Sequence, residues 1–175
     1  VTARLQSSKR NRGVAAVEFS FVLVPLLVLA FGITEFGRAM YEYNIVAKAT
    51  RDAARYLSTH GAGAATLDAS NNTSTHINAA CIAVYGNKGC TGAKLLPQLS
   101  TSSVEICDAL TTSAASCSGK SFQNVATGTG VINLVSVTVS GYTFQSYVNG
   151  SIAGLTLGTP NITFSSISTT MRQVN

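Results

Sequence analysis

Residues 14–33 read VAAVEFSFVLVPLLVLAFGI, twenty residues with one charge, Glu18. A membrane-spanning helix needs about 20 apolar residues to cross a hydrocarbon core of about 30 Å. The thirteen residues before this run are polar and basic: Arg4, Lys9, Arg10 and Arg12 stand among them, with no acid. A secretory signal would have a shorter apolar run followed by a small-residue cleavage site. Here the chain continues as TEFGRAMYEYN, so the run reads as a retained anchor. The basic flank predicts a cytoplasmic N-terminus and a C-terminal part on the outer side. Pro25 stands mid-span, where membrane helices tolerate proline better than soluble ones do.

Beyond the span, Ile33, Phe36, Met40, Tyr43, Ala47, Thr50, Ala54 and Leu57 recur at alternating steps of three and four. That spacing predicts that one helix runs on over residues 15–60, with this stripe along one face. Arg38, Glu42, Lys48, Arg51, Asp52 and Arg55 fall on the other face. Gly61 and Gly63 stand where a helix stop is expected.

Composition narrows the rest. The chain has 175 residues, 46% apolar and only 11% charged. Disorder requires low hydrophobicity and high charge, and a free cytosolic enzyme would carry more Lys and Glu. Of the net charge of +5, four units come from the leading tail. The remainder is nearly neutral, so no folded basic face for nucleic acid is expected. Residues 61–175 contain 32 Ser or Thr and only 7 charged residues, a hydroxyl-rich surface suited to an extracytoplasmic setting.

Within that part, Asn71-Asn72-Thr73-Ser74 reads as a polar break, and residues 75–85 (THINAACIAVY) as a short helix ended by Gly86. Residues 103–107 form a strand. Residues 131–140 form another, with Val135, Val137 and Val139 on one face and Ser136, Thr138 and Ser140 on the other. Tyr142-Thr143-Phe144 extends it past Gly141. Residues 151–157 are a weaker strand. After a turn at 158–160, residues 161–172 form the last, with a phase shift that predicts a bulge near Ser165-Ser166. The fold class expected is α+β: a long N-terminal helix packed against a small antiparallel sheet.

Cys81, Cys90, Cys107 and Cys117 all lie beyond the span. An even count in an oxidising compartment reads as two disulfides, for which three connectivities exist. The short separations favour Cys81–Cys90 and Cys107–Cys117. No C-x2-C pair supports a zinc site, and His60 and His76 read as solvated residues at helix ends. No metal or cofactor is expected. Catalysis finds little support: there is no G-x-S-x-G and no phosphate-binding loop. Asp68, Glu105 and Asp108 are the only acids in the C-terminal part, and the last two read as loop charges. The expectation is a protein that is not an enzyme and takes no small-molecule substrate.

Glu18 is the anomaly, because a carboxylate costs roughly 2.5–3.5 kcal/mol at the centre of a span and less near its edge. Basic tail, Gly13, four small apolar residues, Glu18, Phe19 and a long apolar helix together resemble the processing site of type IV pilin-like proteins. More narrowly, residues 12–56 resemble the N-terminal signature of TadE-like proteins, the pseudopilins of tight-adherence pilus systems. The resemblance rests on Arg12-Gly13, Val17-Glu18-Phe19, Pro25, Glu35-Phe36-Gly37-Arg38, Tyr41 and Ala53-Ala54-Arg55-Tyr56. It implies a basic leader over 1–13, a transmembrane helix over 14–33, a periplasmic continuation over 34–60 and a small disulfide-bonded extracytoplasmic domain over 61–175. It implies that a prepilin peptidase cuts between Gly13 and Val14, and that Glu18 and Phe19 serve assembly. Unpaired charge is costly in an apolar medium, so the Glu18 carboxylate would meet the new N-terminal ammonium of a neighbouring subunit. The implied partners are major and minor pilins and the bacterial inner membrane, crossed once. Two alternatives stand beside this reading: an uncleaved component of the pilus secretion machinery, and a membrane-tethered periplasmic binding module.

Overall fold

Helix α1 (Arg12–Ser58) is 47 residues long, or about 70 Å at 1.5 Å per residue. In this computed structural model the described residues are 12–60, 69–112, 114–147, 151–152, 155–156 and 161–173. The basic leader up to residue 11, the helix stop at Gly61 and Gly63, and the turn at 158–160 lie outside them. The chain divides into two units. One takes residues up to Arg38 with those of 146–160; the other takes 39–145 and 161 onward.

In the first unit residues 14–33 of α1 carry Glu18 as their one charge, and the helix is long and apolar enough to cross a membrane. Pro25 sits inside it. Two short strands, β5 (Ser151–Ile152) and β6 (Leu155–Thr156), pair antiparallel with each other. They replace the single weak strand expected over 151–157.

In the second unit the buried line of α1 runs through Ala39, Val46, Ala49, Thr50, Ala53, Ala54 and Leu57. This corrects the expected stripe: Thr50, Ala54 and Leu57 are buried as expected, but Met40 and Tyr43 are exposed. The physical reason is size. Alanine lets neighbouring elements approach α1 closely, whereas the bulkier residues of the stripe would hold them off. Glu42, expected among the outward charges, accepts a hydrogen bond of 2.6 Å from the buried Tyr142 hydroxyl. The last turn of α1 is tied off locally, with the Ser58 and Thr59 hydroxyls donating to the carbonyls of Arg55 and Tyr56. Arg55, in the same turn, suits the negative end of the helix dipole.

Helix α2 (Ala69–Tyr85) begins earlier than expected and takes the Asn-Asn-Thr-Ser stretch into its first turns. Asn, Ser and Thr cost only a few tenths of a kcal/mol each in a helix, and the packed segment that follows anchors them. Ala79, Ala83 and Val84 are fully buried. Gly86, at φ +73°, ends the helix with its N–H on the Ile82 carbonyl.

Strand β3 (Val131–Val139) is the centre of the antiparallel sheet. It pairs with β1 (Val104–Cys107), with the short β2 (Val125–Ala126) and with β8 (Ile167–Gln173). β1 and β8 flank it on opposite edges, since both pair with residues 136–139. Val135 and Val137 meet Ile106 of β1, Ala53, Ala54 and Leu57 of α1, and Ala79 and Ala83 of α2 in one apolar cluster. The two helices therefore cover one face of the sheet, the α+β arrangement expected. On the opposite, hydroxyl-bearing face only the central strand is shielded, since Ser168 and Thr170 of β8 are exposed. Ser136 and Thr138 are buried, and Ser136 shares hydrogen bonds with Ser168 and Thr170 across the strand pair.

Beyond β3 the chain does not continue the strand. Gly141, at φ +69°, turns it, and β4 (Thr143–Phe144) pairs instead with β7 (Ile162–Thr163). The expected last strand is accordingly broken at residues 164–166, where the phase shift was read, and resumes as β8.

Candidate membrane and assembly site

Gly13, Val14, Glu18 and Phe19 occupy the first two turns described in α1. Val14 and Glu18 are four residues apart, so they share a face about 6 Å apart along the axis. Both are exposed, as is Phe19 at 64%. The Ser20 hydroxyl, on another face, donates to the Val17 carbonyl at 2.7 Å. A side chain at Gly13 would meet nothing within 4 Å. Glycine inside a helix costs about 0.5–1 kcal/mol relative to alanine, and the packing described here asks for none at this position. Gly32 and Gly37 face open space in the same way, and glycine is frequent in membrane helices.

Twelve large apolar side chains between residues 14 and 33 are exposed. Each is worth roughly 1.5–3 kcal/mol when fully covered. Their sum exceeds the net stability of a typical domain, about 5–15 kcal/mol. An apolar surface of this extent marks a membrane or protein contact rather than a free surface.

Just past the span is a group the residues did not announce. Glu35 is 4% exposed, and its two carboxylate oxygens accept from Arg38 at 2.9 and 3.2 Å. The Arg38 guanidinium also lies 3.9 Å from the centre of the Tyr147 ring. Only the i, i+3 spacing of Glu35 and Arg38 was legible; the contact with residue 147 is long-range.

In the α+β unit two disulfides close, Cys81–Cys90 and Cys107–Cys117, both local. Cys107, Cys117 and Phe122 form a small cluster of their own. Beside it lies Asp108, which is buried rather than a loop charge. Its Oδ2 accepts from His76 Nε2 at 2.7 Å, and its Oδ1 accepts from the N–H groups of Leu110 and Thr111 at 2.9 and 2.6 Å. Burial alone would raise this carboxyl, but the His76 and backbone hydrogen bonds outweigh it and hold its pKa below the ordinary value of 3.8. An ionised carboxylate only accepts, so Nε2 of His76 carries the proton. His76 is thus a strut from α2 to the end of β1, not a solvated helix end. Glu105, expected to be a loop charge, stands on β1 and accepts the Ser116 N–H at 3.0 Å. Both acids brace the Cys107–Cys117 loop.

Among the described residues, no group of three His, Cys, Asp or Glu is placed to hold a metal ion. A groove of about 710 Å³ runs beside α1, lined by Tyr41, Lys48, Asp52, Ile82, Lys88 and Leu95 among others.

Among the described residues one helix is long and apolar enough to cross a membrane, and an α+β domain follows it in the chain. The family model described as TadE-like protein matches residues 13–55, the same family that the residues resemble. The match starts at Gly13 and covers most of α1. No curated protein and no solved structure matches the chain.

Proposed function

We propose that the chain is a minor pilin or pseudopilin, a structural and non-catalytic component that assembles, initiates or caps a tight-adherence pilus used in adhesion. The observation that carries this reading is the coincidence of two limits. The TadE-like match begins at Gly13, and the twenty-residue apolar run that follows the basic tail begins at the next residue. In this reading the basic leader stays in the cytoplasm, residues 14–33 cross the inner membrane once and the α+β domain stands in the periplasm. A prepilin peptidase removes residues 1–13. The exposed apolar face of α1 then moves from lipid to neighbouring pilins without first having to leave a core. Glu18 pairs with the new N-terminus of a neighbour, and its charge fixes the depth at which subunits engage. Cysteines on the oxidising side of the membrane agree with this orientation.

The test uses two variants in a piliated host. Gly13→Leu should leave the leader attached while the protein still enters the membrane. Glu18→Ala should insert and be processed normally but lower the number of pili. Normal processing of the first would place the cut elsewhere, and normal piliation with the second would remove the assembly role of Glu18.

A further inference from the structure

The unit that contains the span also contains a residue from far along the chain. Tyr147 is 84% exposed, yet its ring is held 3.9 Å from the guanidinium carbon of Arg38. Arg38 in turn covers both carboxylate oxygens of the buried Glu35. Glu35 and Arg38 neutralise each other, and Tyr147 places an amphipathic ring, rather than a further charge, on the outside of the pair.

The depth of this group follows from helix geometry. Arg38 is five residues past Ile33, the end of the apolar run, so its Cα lies about 7–8 Å further along the axis. The polar layer of a bilayer adds roughly 5–8 Å to each side of the hydrocarbon core. Helix side chains tilt toward the N-terminus, which draws the Arg38 guanidinium back toward the lipid. Phe36, on the same stretch, is 65% exposed. Tyr and Trp concentrate at this level because the ring is apolar and its edge is polar.

We infer that Tyr147, stacked on Arg38, seats in the outer-leaflet headgroup layer and forms, with Phe36, an interfacial anchor that sets how far α1 projects from the membrane. This rests on the membrane-anchored reading above. The occupant of this surface is lipid. Because the Arg38–Glu35 pair is neutral, the anchor holds on zwitterionic phosphatidylcholine as well as on mixtures with phosphatidylglycerol.

The chain contains no tryptophan, so each introduced one reports alone. The full chain is reconstituted in phosphatidylcholine vesicles as three variants: Tyr147→Trp, Phe21→Trp within the span, and Val131→Trp at the exposed start of β3. Fluorescence is quenched by lipids brominated high on the acyl chain, by lipids brominated low on it, and by aqueous iodide. The Tyr147→Trp variant should be quenched by the high-bromine lipid about threefold more than the Val131→Trp variant, and more than by the low-bromine lipid. Phe21→Trp should respond most to the low-bromine lipid. Adding Arg38→Ala should shift the Tyr147→Trp signal from lipid quenching to iodide quenching. If Phe21→Trp responds to lipid and Tyr147→Trp behaves like Val131→Trp, the anchor is wrong and the ring faces water or a protein partner. If Phe21→Trp also ignores lipid, the membrane reading itself fails. If Arg38→Ala changes nothing, Arg38 does not position the ring.

Discussion

Between residues 14 and 33, α1 turns Phe, Leu and Val side chains outward on every side; between residues 39 and 57 it buries mostly alanine. Both stretches are helical and apolar, but they are covered by different things. Alanine in the second stretch gives a flat surface on which α2 and β3 lie close, so Ala53 and Ala54 are fully buried. The first stretch is too bulky and too uniform to present one packing face, and it leaves its surface for lipid or another subunit. Hydrophobicity therefore says that a helix face must be covered, and residue size says what can cover it.

The sharpest way to break this contrast is to place the same charge in each half. Val46 is fully buried among Val84, Leu96, Leu99 and Val139. Val46→Asp should cost the α+β domain at least about 4 kcal/mol, because a charge there has no partner, and limited proteolysis should find it unfolded. Val24→Asp should leave the domain protease-resistant and weaken only membrane insertion, by about 2.5–3.5 kcal/mol. Equal effects at the two positions would mean that the halves are not covered differently.

The acids offer the next contrast. Asp108→Ala removes the acceptor of three hydrogen bonds and should cost about 3 kcal/mol in thermal unfolding. Glu18→Ala should leave that unfolding unchanged. The folded-state pKa of Asp108 lies below its ordinary value, so its stabilisation is fully present above the ordinary carboxylate range. It is lost as pH falls through the lowered folded-state value. The acid limb of stability, measured at pH 2–5 (about the carboxylate range), should flatten in Asp108→Ala.

A smaller effect belongs to the loop that Asp108 and Glu105 brace. The Cys107–Cys117 bridge closes a separation of 10 residues, worth about 2.5–3 kcal/mol in the chain-entropy model. Replacing both cysteines with Ser should lower the unfolding free energy by about that much and leave membrane extraction unchanged. Non-reducing peptide mapping should recover Cys81 with Cys90 and Cys107 with Cys117.

Much of the architecture was legible because it depends on local pattern. The twenty-residue apolar run, the alternation of Val135, Val137 and Val139, the stop at Gly86 and the short cysteine separations each express one element's own chemistry. What was not legible depends on partners distant in the chain. The buried face of α1 is rotated from the bulkier stripe because its partners prefer alanine. Ser136 and Thr138 look solvent-facing in sequence, but they stand on the central strand between β1 and β8, and hydroxyls on β8 bond to Ser136. His76 and Asp108 are 32 residues apart, and Arg38 and Tyr147 more than a hundred, so no spacing rule links them. Gly13 and Glu18 were visible for the opposite reason. The Glu18 charge violates what a spanning helix prefers, and a local violation shows in the sequence itself; Gly13 showed through its place in the short pattern that resembles a pilin processing site.

The central claim is that α1 is bared at Val14 for assembly, and the mass of the mature chain tests it most directly. Protein extracted from membranes of cells containing a prepilin peptidase should give an N-terminal peptide that begins at Val14, while cells lacking the peptidase keep the residues before it. A chain that keeps its basic leader in peptidase-competent cells would contradict the account.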